Sequence, residues 1–96
     1  MATQDKIVSE ITDYVGSSSK STWYAGIAAD ARDRLFNGHS VDEKAGKWIY
    51  RTADSEATAR ASEKALHDLG FDGGTGGGDT STKMVYAYKK TSETKE

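Results

Sequence analysis

The sequence predicts a small single domain of the α/β (α+β) class, with a three-stranded sheet covered by about three helices. Three observations predict it. The chain has 96 residues, room for one domain with a core over about 4–90. Helical and strand-like hydrophobic periods alternate along it, and Gly, Asn, Asp and Ser punctuate the joins.

Ile7, Val8, Ile11 and Val15 make a narrow helical stripe over residues 4–15, and Gly16 is a fitting stop. This first helix is the weakest candidate for the core. A serine-rich loop follows, and Thr22 to Ala28 reads as a strand with Trp23, Ala25 and Ile27 on one face and Tyr24, Gly26 and Ala28 on the other. Gly26 weakens a strand interior, so a close approach of another group is expected there. Asp30 caps a short helix carrying Ala31 and Leu35 on one face, ended by Asn37-Gly38. Trp48 to Thr52 is a second strand. Asp54 starts the longest helix, roughly 55–69, with Ala57, Ala61, Ala65, Leu66 and Leu69 as its inner face and Gly70 at its left-handed end. Lys83 to Lys89 makes the last strand, with Met84, Tyr86 and Tyr88 on one face and Val85 and Ala87 on the other. Residues 91–96 form a polar tail that is expected to fray.

Large apolar residues are scarce: Ile, Val, Leu and Phe together number thirteen. A net charge of only −2, two Trp and five Tyr argue for a folded chain nonetheless. The absence of Cys excludes disulfides, thiol chemistry and cysteine zinc sites. No apolar run reaches membrane-spanning length and the first residues lack a signal pattern, so a cytoplasmic protein with no membrane contact is expected. The slightly acidic balance argues against a protein that coats nucleic acid generally, while leaving room for one focused phosphate site.

Tyr24-Ala25-Gly26, followed by Arg34-Leu35 and His39, resembles the GIY-YIG nuclease superfamily, which carries a Tyr-x-Gly strand, then a short helix with an Arg about ten residues on, often with a His beyond. The helix at Ala59-Arg60-Ala61-Ser62-Glu63-Lys64-Ala65-Leu66 looks like the family's later helix, which bears a metal-binding Glu. The resemblance covers roughly residues 22–69. The chain departs from the family in having no visible Gly-Ile-Tyr first strand, and Ala28 stands where a threonine is usual. Tyr14 lies ten residues before Tyr24 but belongs to the helical segment. Tyr50, on a neighbouring strand, is a conjectural substitute phenol.

The resemblance implies a phosphodiester hydrolase using one divalent cation, Mg²⁺ or Mn²⁺. Glu63 would be the metal ligand, Arg34 the phosphate clamp, Tyr24 one of the tyrosines that position or deprotonate water, and His39 an auxiliary acid, base or orienting group.

Each residue has an ordinary reading beside that one. Tyr24 would be a sheet aromatic, Glu63 part of an exposed ladder with Arg60 and His67, Arg34 a partner of Asp30 or Asp33, and His39 an exposed loop histidine. Trp23, Trp48, Tyr50, Tyr86 and Tyr88 would mostly be core, with one sheet face left for stacking a base. The stretch from Gly73 to Asp79, with Gly73, Gly74, Gly76, Gly77 and Gly78, is a candidate ligand or partner segment or a plain flexible connection; it does not match a P-loop. Three functions therefore stand: a metal-dependent nuclease; a non-catalytic descendant of that fold that binds a nucleotide, nucleic acid or protein; and a small homodimeric interaction or inhibitor-type protein.

Overall fold

A computed structural model describes residues 3–16, 19–44, 46–73, 83–91 and 94. Three helices and a three-stranded antiparallel sheet make it an α+β domain.

Helix α1, Gln4–Val15, is capped by Thr3, whose hydroxyl accepts from the Lys6 N–H, and ends at Gly16 with φ 66°. Its stripe at Ile7, Ile11 and Val15 is buried, and Ile7 and Ile11 are wholly inaccessible. The first helix is thus an integral wall of the core, contrary to its weak standing in the sequence. Strand β1, Trp23–Ala28, follows a single tight helical turn at Lys20–Thr22. The Asp30 carboxylate accepts from the Asp33 N–H at 3.1 Å and opens α2, Ala31–Asp33. The chain then widens into a π-helical turn, Arg34–Gly38, closed by the His39 N–H donating to the Arg34 carbonyl at 2.8 Å. Such single π turns reposition the side chains around them and are frequent at functional sites.

Strand β2, Trp48–Thr52, leads to α3, Glu56–Asp68. The cap of α3 is Ser55 rather than Asp54: the Ser55 hydroxyl accepts from the Thr58 N–H at 3.2 Å. The buried face of α3 also differs from expectation. Ala59, Ser62 and Leu66 are buried, Ala57 is exposed, Ala61 and Ala65 are half-buried, and Leu69 lies in solvent. With alanines at so many positions the stripe was ambiguous, and a buried Ser62 is tolerated because its hydroxyl donates to the Thr58 carbonyl at 2.8 Å. Gly70, φ 115°, turns the chain out of α3.

The last strand, β3, Met84–Lys89, is the middle one: the order is β1-β3-β2, with both pairings antiparallel. One face carries Trp23, Ala25, Ile27, Ile49, Val85 and Ala87 against α1 and α3. The opposite face carries Tyr86 and Tyr88, packed with Ala31, Leu35 and Val41 of the α2 segment. Register places Tyr24 and Trp48 either side of Tyr88, and Gly26 and Tyr50 either side of Tyr86. Among the described residues no helix is long and apolar enough to cross a membrane.

Candidate functional site

The site forms on the face of the sheet that the α2 segment covers. Gly26 sits opposite Tyr86, and a Cβ built there would lie 2.7 Å from the Tyr86 hydroxyl and 2.9 Å from its Cζ. The missing side chain is what lets the Tyr86 ring lie across β1. The close approach expected at Gly26 is thus a phenol.

His39 leaves the π-helical turn and enters between the two β3 tyrosines. Its Nε2 shares a 2.7 Å hydrogen bond with the Tyr86 hydroxyl, and its Nδ1 a 3.1 Å bond with the Tyr88 hydroxyl. Only 6 % of the residue is accessible. The exposed-loop reading of His39 therefore fails. Tyr24 completes the cluster, its ring centroid 4.8 Å from that of His39 and 5.2 Å from that of Tyr88.

Arg34 belongs to the turn that follows α2, and Glu63 to α3, which packs on the other face of the sheet. Burial pushes the Tyr86 phenol well above the usual range; Tyr24 and Glu63 push it the same way and Arg34 opposes them. Of the four residues singled out in the sequence, His39 and Tyr24 contact this phenol directly, whereas Arg34 and Glu63 act on it only as charges. Arg34 is exposed and makes no side-chain hydrogen bond or ion pair among the described residues. Asp30 and Asp33 are committed elsewhere, to the helix cap and to the Asn37 amide. Neighbouring Arg32 is also committed, 2.6 Å from Glu43 and lying over the Phe36 and Trp48 rings.

Glu63 is half-buried and likewise makes no hydrogen bond or ion pair among the described residues. The helix ladder runs differently from expectation: Arg60 pairs with Glu56 at 2.8 Å, and the His67 ring N–H donates to the Ala25 carbonyl at 2.9 Å. Burial raises the Glu63 carboxyl above its ordinary value, with His67 and Arg60 pulling it back. A half-buried carboxylate that makes no hydrogen bond or ion pair among the described residues suits a cation whose other positions are filled by water and substrate oxygens, as Mg²⁺ prefers. Among the described residues no three His, Asp or Glu side chains group as a metal site.

Of the candidate glycines, Gly73 is described and the other four lie outside the described residues. Asp72 pairs with the free edge of β1, exchanging backbone hydrogen bonds of 2.9 Å with Trp23 and Ala25. Gly73 then passes over the His67 ring, so close that a Cβ would overlap it.

The sequence reading missed Tyr86 and Tyr88 as site residues, having assigned them to the core. Strand alternation puts both on one face of β3, and the pairing with β1 makes that the Tyr24 face. Tyr14 is not at the site: half exposed on α1, it packs edge-on to Trp23 on the other side of the sheet. Tyr50 stacks on Trp48 at 6.1 Å and stays outside the His39 cluster. Comparison with known protein families, with curated proteins and with solved structures finds no match to this chain.

Proposed function

We propose that this chain is a GIY-YIG-like domain directed at nucleic acid, acting as a divalent-metal-dependent phosphodiester hydrolase. One observation carries the reading: His39 and Tyr24, chosen for their resemblance to one nuclease site, pack directly on the Tyr86 phenol, and the charges of Arg34 and Glu63 act on the same group. Tyr86 supplies from the last strand the second phenol that the absent Gly-Ile-Tyr strand would have provided.

Each residue then has a role. Arg34, exposed and without an ion pair among the described residues, takes the charge that grows on the phosphate oxygens. Because burial keeps Tyr86 protonated, the phenol acts as a relay rather than a free base. It passes its own proton to His39 as it takes one from the attacking water, leaving a hydroxide for phosphorus and an imidazolium at His39. Tyr24 walls the cluster and orients the water. Glu63 would hold the cation, whose chemistry is to polarise the phosphate and stabilise the leaving oxygen.

The test uses the full chain with single- and double-stranded DNA and RNA oligonucleotides in Mg²⁺ or Mn²⁺. Metal-dependent cleavage is expected, falling roughly 10²–10⁴-fold in Tyr86→Phe, Arg34→Ala and Glu63→Gln. No cleavage of any substrate, or cleavage indifferent to all three substitutions, contradicts the reading.

That no three His, Asp or Glu side chains group together among the described residues favours a second reading, a non-catalytic descendant that binds a nucleotide, nucleic acid or protein. On that reading a phosphate-bearing ligand binds without being cut, Arg34→Ala weakens it, and Tyr86→Phe leaves its affinity unchanged.

A further inference from the structure

His39 is an imidazole bonded through both nitrogens to hydroxyls, and a hydroxyl can give or receive. A neutral ring offers one donor and one acceptor, so the two bonds must run in opposite senses. Their lengths differ. Bonds donated by a hydroxyl are the shorter kind, and those donated by a ring N–H lie nearer 3 Å. The 2.7 Å contact to Tyr86 therefore fits an O–H donated to Nε2, and the 3.1 Å contact to Tyr88 fits an N–H donated from Nδ1.

The surroundings hold the ring in this orientation. Tyr86 and Tyr88 project from the same face of the central strand, two residues apart. Turning the imidazole over would present carbon to both hydroxyls. The Tyr24 ring lies against one side of it, and the His39 backbone is pinned by its bond to the Arg34 carbonyl.

We infer that Tyr88 is a positioning residue: by accepting the Nδ1 hydrogen it fixes the His39 tautomer whose Nε2 lone pair faces Tyr86. This rests on the relay proposed above for its consequence in catalysis, though the tautomer itself does not. In the opposite tautomer Nε2 already carries a hydrogen, and His39 cannot take a proton from Tyr86 at all. The Tyr88 hydroxyl thus decides whether the Tyr86 hydroxyl has a base. Tyr88 touches neither substrate nor cation in this scheme.

The experiment reads the ring directly, without substrate or metal. The ¹⁵N-labelled full chain is examined by long-range ¹H–¹⁵N correlation of the imidazoles at about pH 8.5, two units above the reference histidine value. A His67→Gln sample identifies which signals belong to His39. A pyrrole-like Nδ1 and a pyridine-like Nε2 are expected, the tautomer less populated in free histidine. Tyr88→Phe, which keeps the ring but removes the acceptor, should move His39 to the opposite tautomer, while Tyr86→Phe should leave it as it was. An Nε2–H tautomer in the unsubstituted chain overturns the inference, as does a folded Tyr88→Phe whose ring signals do not change. Should Tyr88→Phe not fold, the unsubstituted chain alone decides. Where oligonucleotide cleavage is present, Tyr88→Phe should lower kcat by roughly 10–100-fold with KM unchanged. Absence of cleavage alongside the expected tautomer would count against the nuclease reading and not against the role of Tyr88.

Discussion

Replacing Gly26 by Ala tests the packing on which the site depends. The new Cβ would sit 2.7 Å from the Tyr86 hydroxyl, 2.9 Å from Cζ and 3.3 Å from a Tyr24 ring carbon, where ordinary contact begins at 3.4 Å. The Tyr86 ring tip must retreat by about 0.7 Å or more, which stretches or breaks its 2.7 Å bond to His39. Overpacking of this kind costs about 1–3 kcal/mol. The weakened hydrogen bond adds about 0.5–1.5 kcal/mol. Restriction of the unfolded chain by alanine offsets about 0.4–1 kcal/mol. A net loss of about 2 kcal/mol is expected, lowering Tm by roughly 8–16 °C in a domain of this size. Gly38→Ala is the control, because its Cβ meets nothing nearer than the Arg34 Cδ at 3.6 Å within a helical turn. It should be neutral or more stable by up to about 1 kcal/mol. Urea unfolding followed by tryptophan fluorescence measures both. A Gly26→Ala protein within about 0.5 kcal/mol of the parent would refute the argument that Tyr86 occupies the space above Gly26.

Three other substitutions probe the remaining account. Ile11→Ala, at a wholly buried position of α1, should cost about 2–5 kcal/mol in urea unfolding, whereas a peripheral α1 would lose far less. Ser55→Ala should destabilise by about 0.5–2 kcal/mol through loss of the α3 cap, and Asp54→Ala by under about 0.5 kcal/mol; the reverse order would restore Asp54 as the cap. Glu63 has a carboxyl raised in the fold, so the folded state binds its proton more tightly than the unfolded chain. Its contribution to stability is therefore fullest below the ordinary value of 4.5 and declines as pH rises through the folded pKa. Glu63→Gln should remove that decline, leaving the variant more stable than the parent at pH 7 by at most about 0.5 kcal/mol, since the residue is only half-buried.

The element order was legible because β-branched and aromatic residues alternate in strands while Ile7, Ile11 and Val15 repeat at helical spacing. Both faces of β1 and β3 were legible for the same reason, since side chains alternate with a period of two. The inner face of α3 was not. Its alanines offer no contrast between stripes, and Ser62 joins the core only because a helical serine can bond the carbonyl four residues back. The position of β3 between its two partners is a long-range choice that no local pattern encodes. That choice also hides half the site. His39 looks like a loop residue until Tyr86 and Tyr88, 47 and 49 residues later, arrive on either side of it. Tyr24, Arg34 and Glu63 were singled out by the family resemblance, whereas placing the Tyr86 phenol beside Tyr24 and His39 required the sheet.

The most direct measurement is a titration of the ¹⁵N-labelled chain with Mn²⁺, whose paramagnetism broadens amide signals close to the bound ion, with Mg²⁺ as the diamagnetic reference. The account predicts saturable broadening centred on Glu63 and reaching Tyr24, Arg34 and Tyr86, abolished in Glu63→Gln. Broadening that is diffuse, centred elsewhere, or unchanged by Glu63→Gln would contradict a metal-assisted site at Glu63.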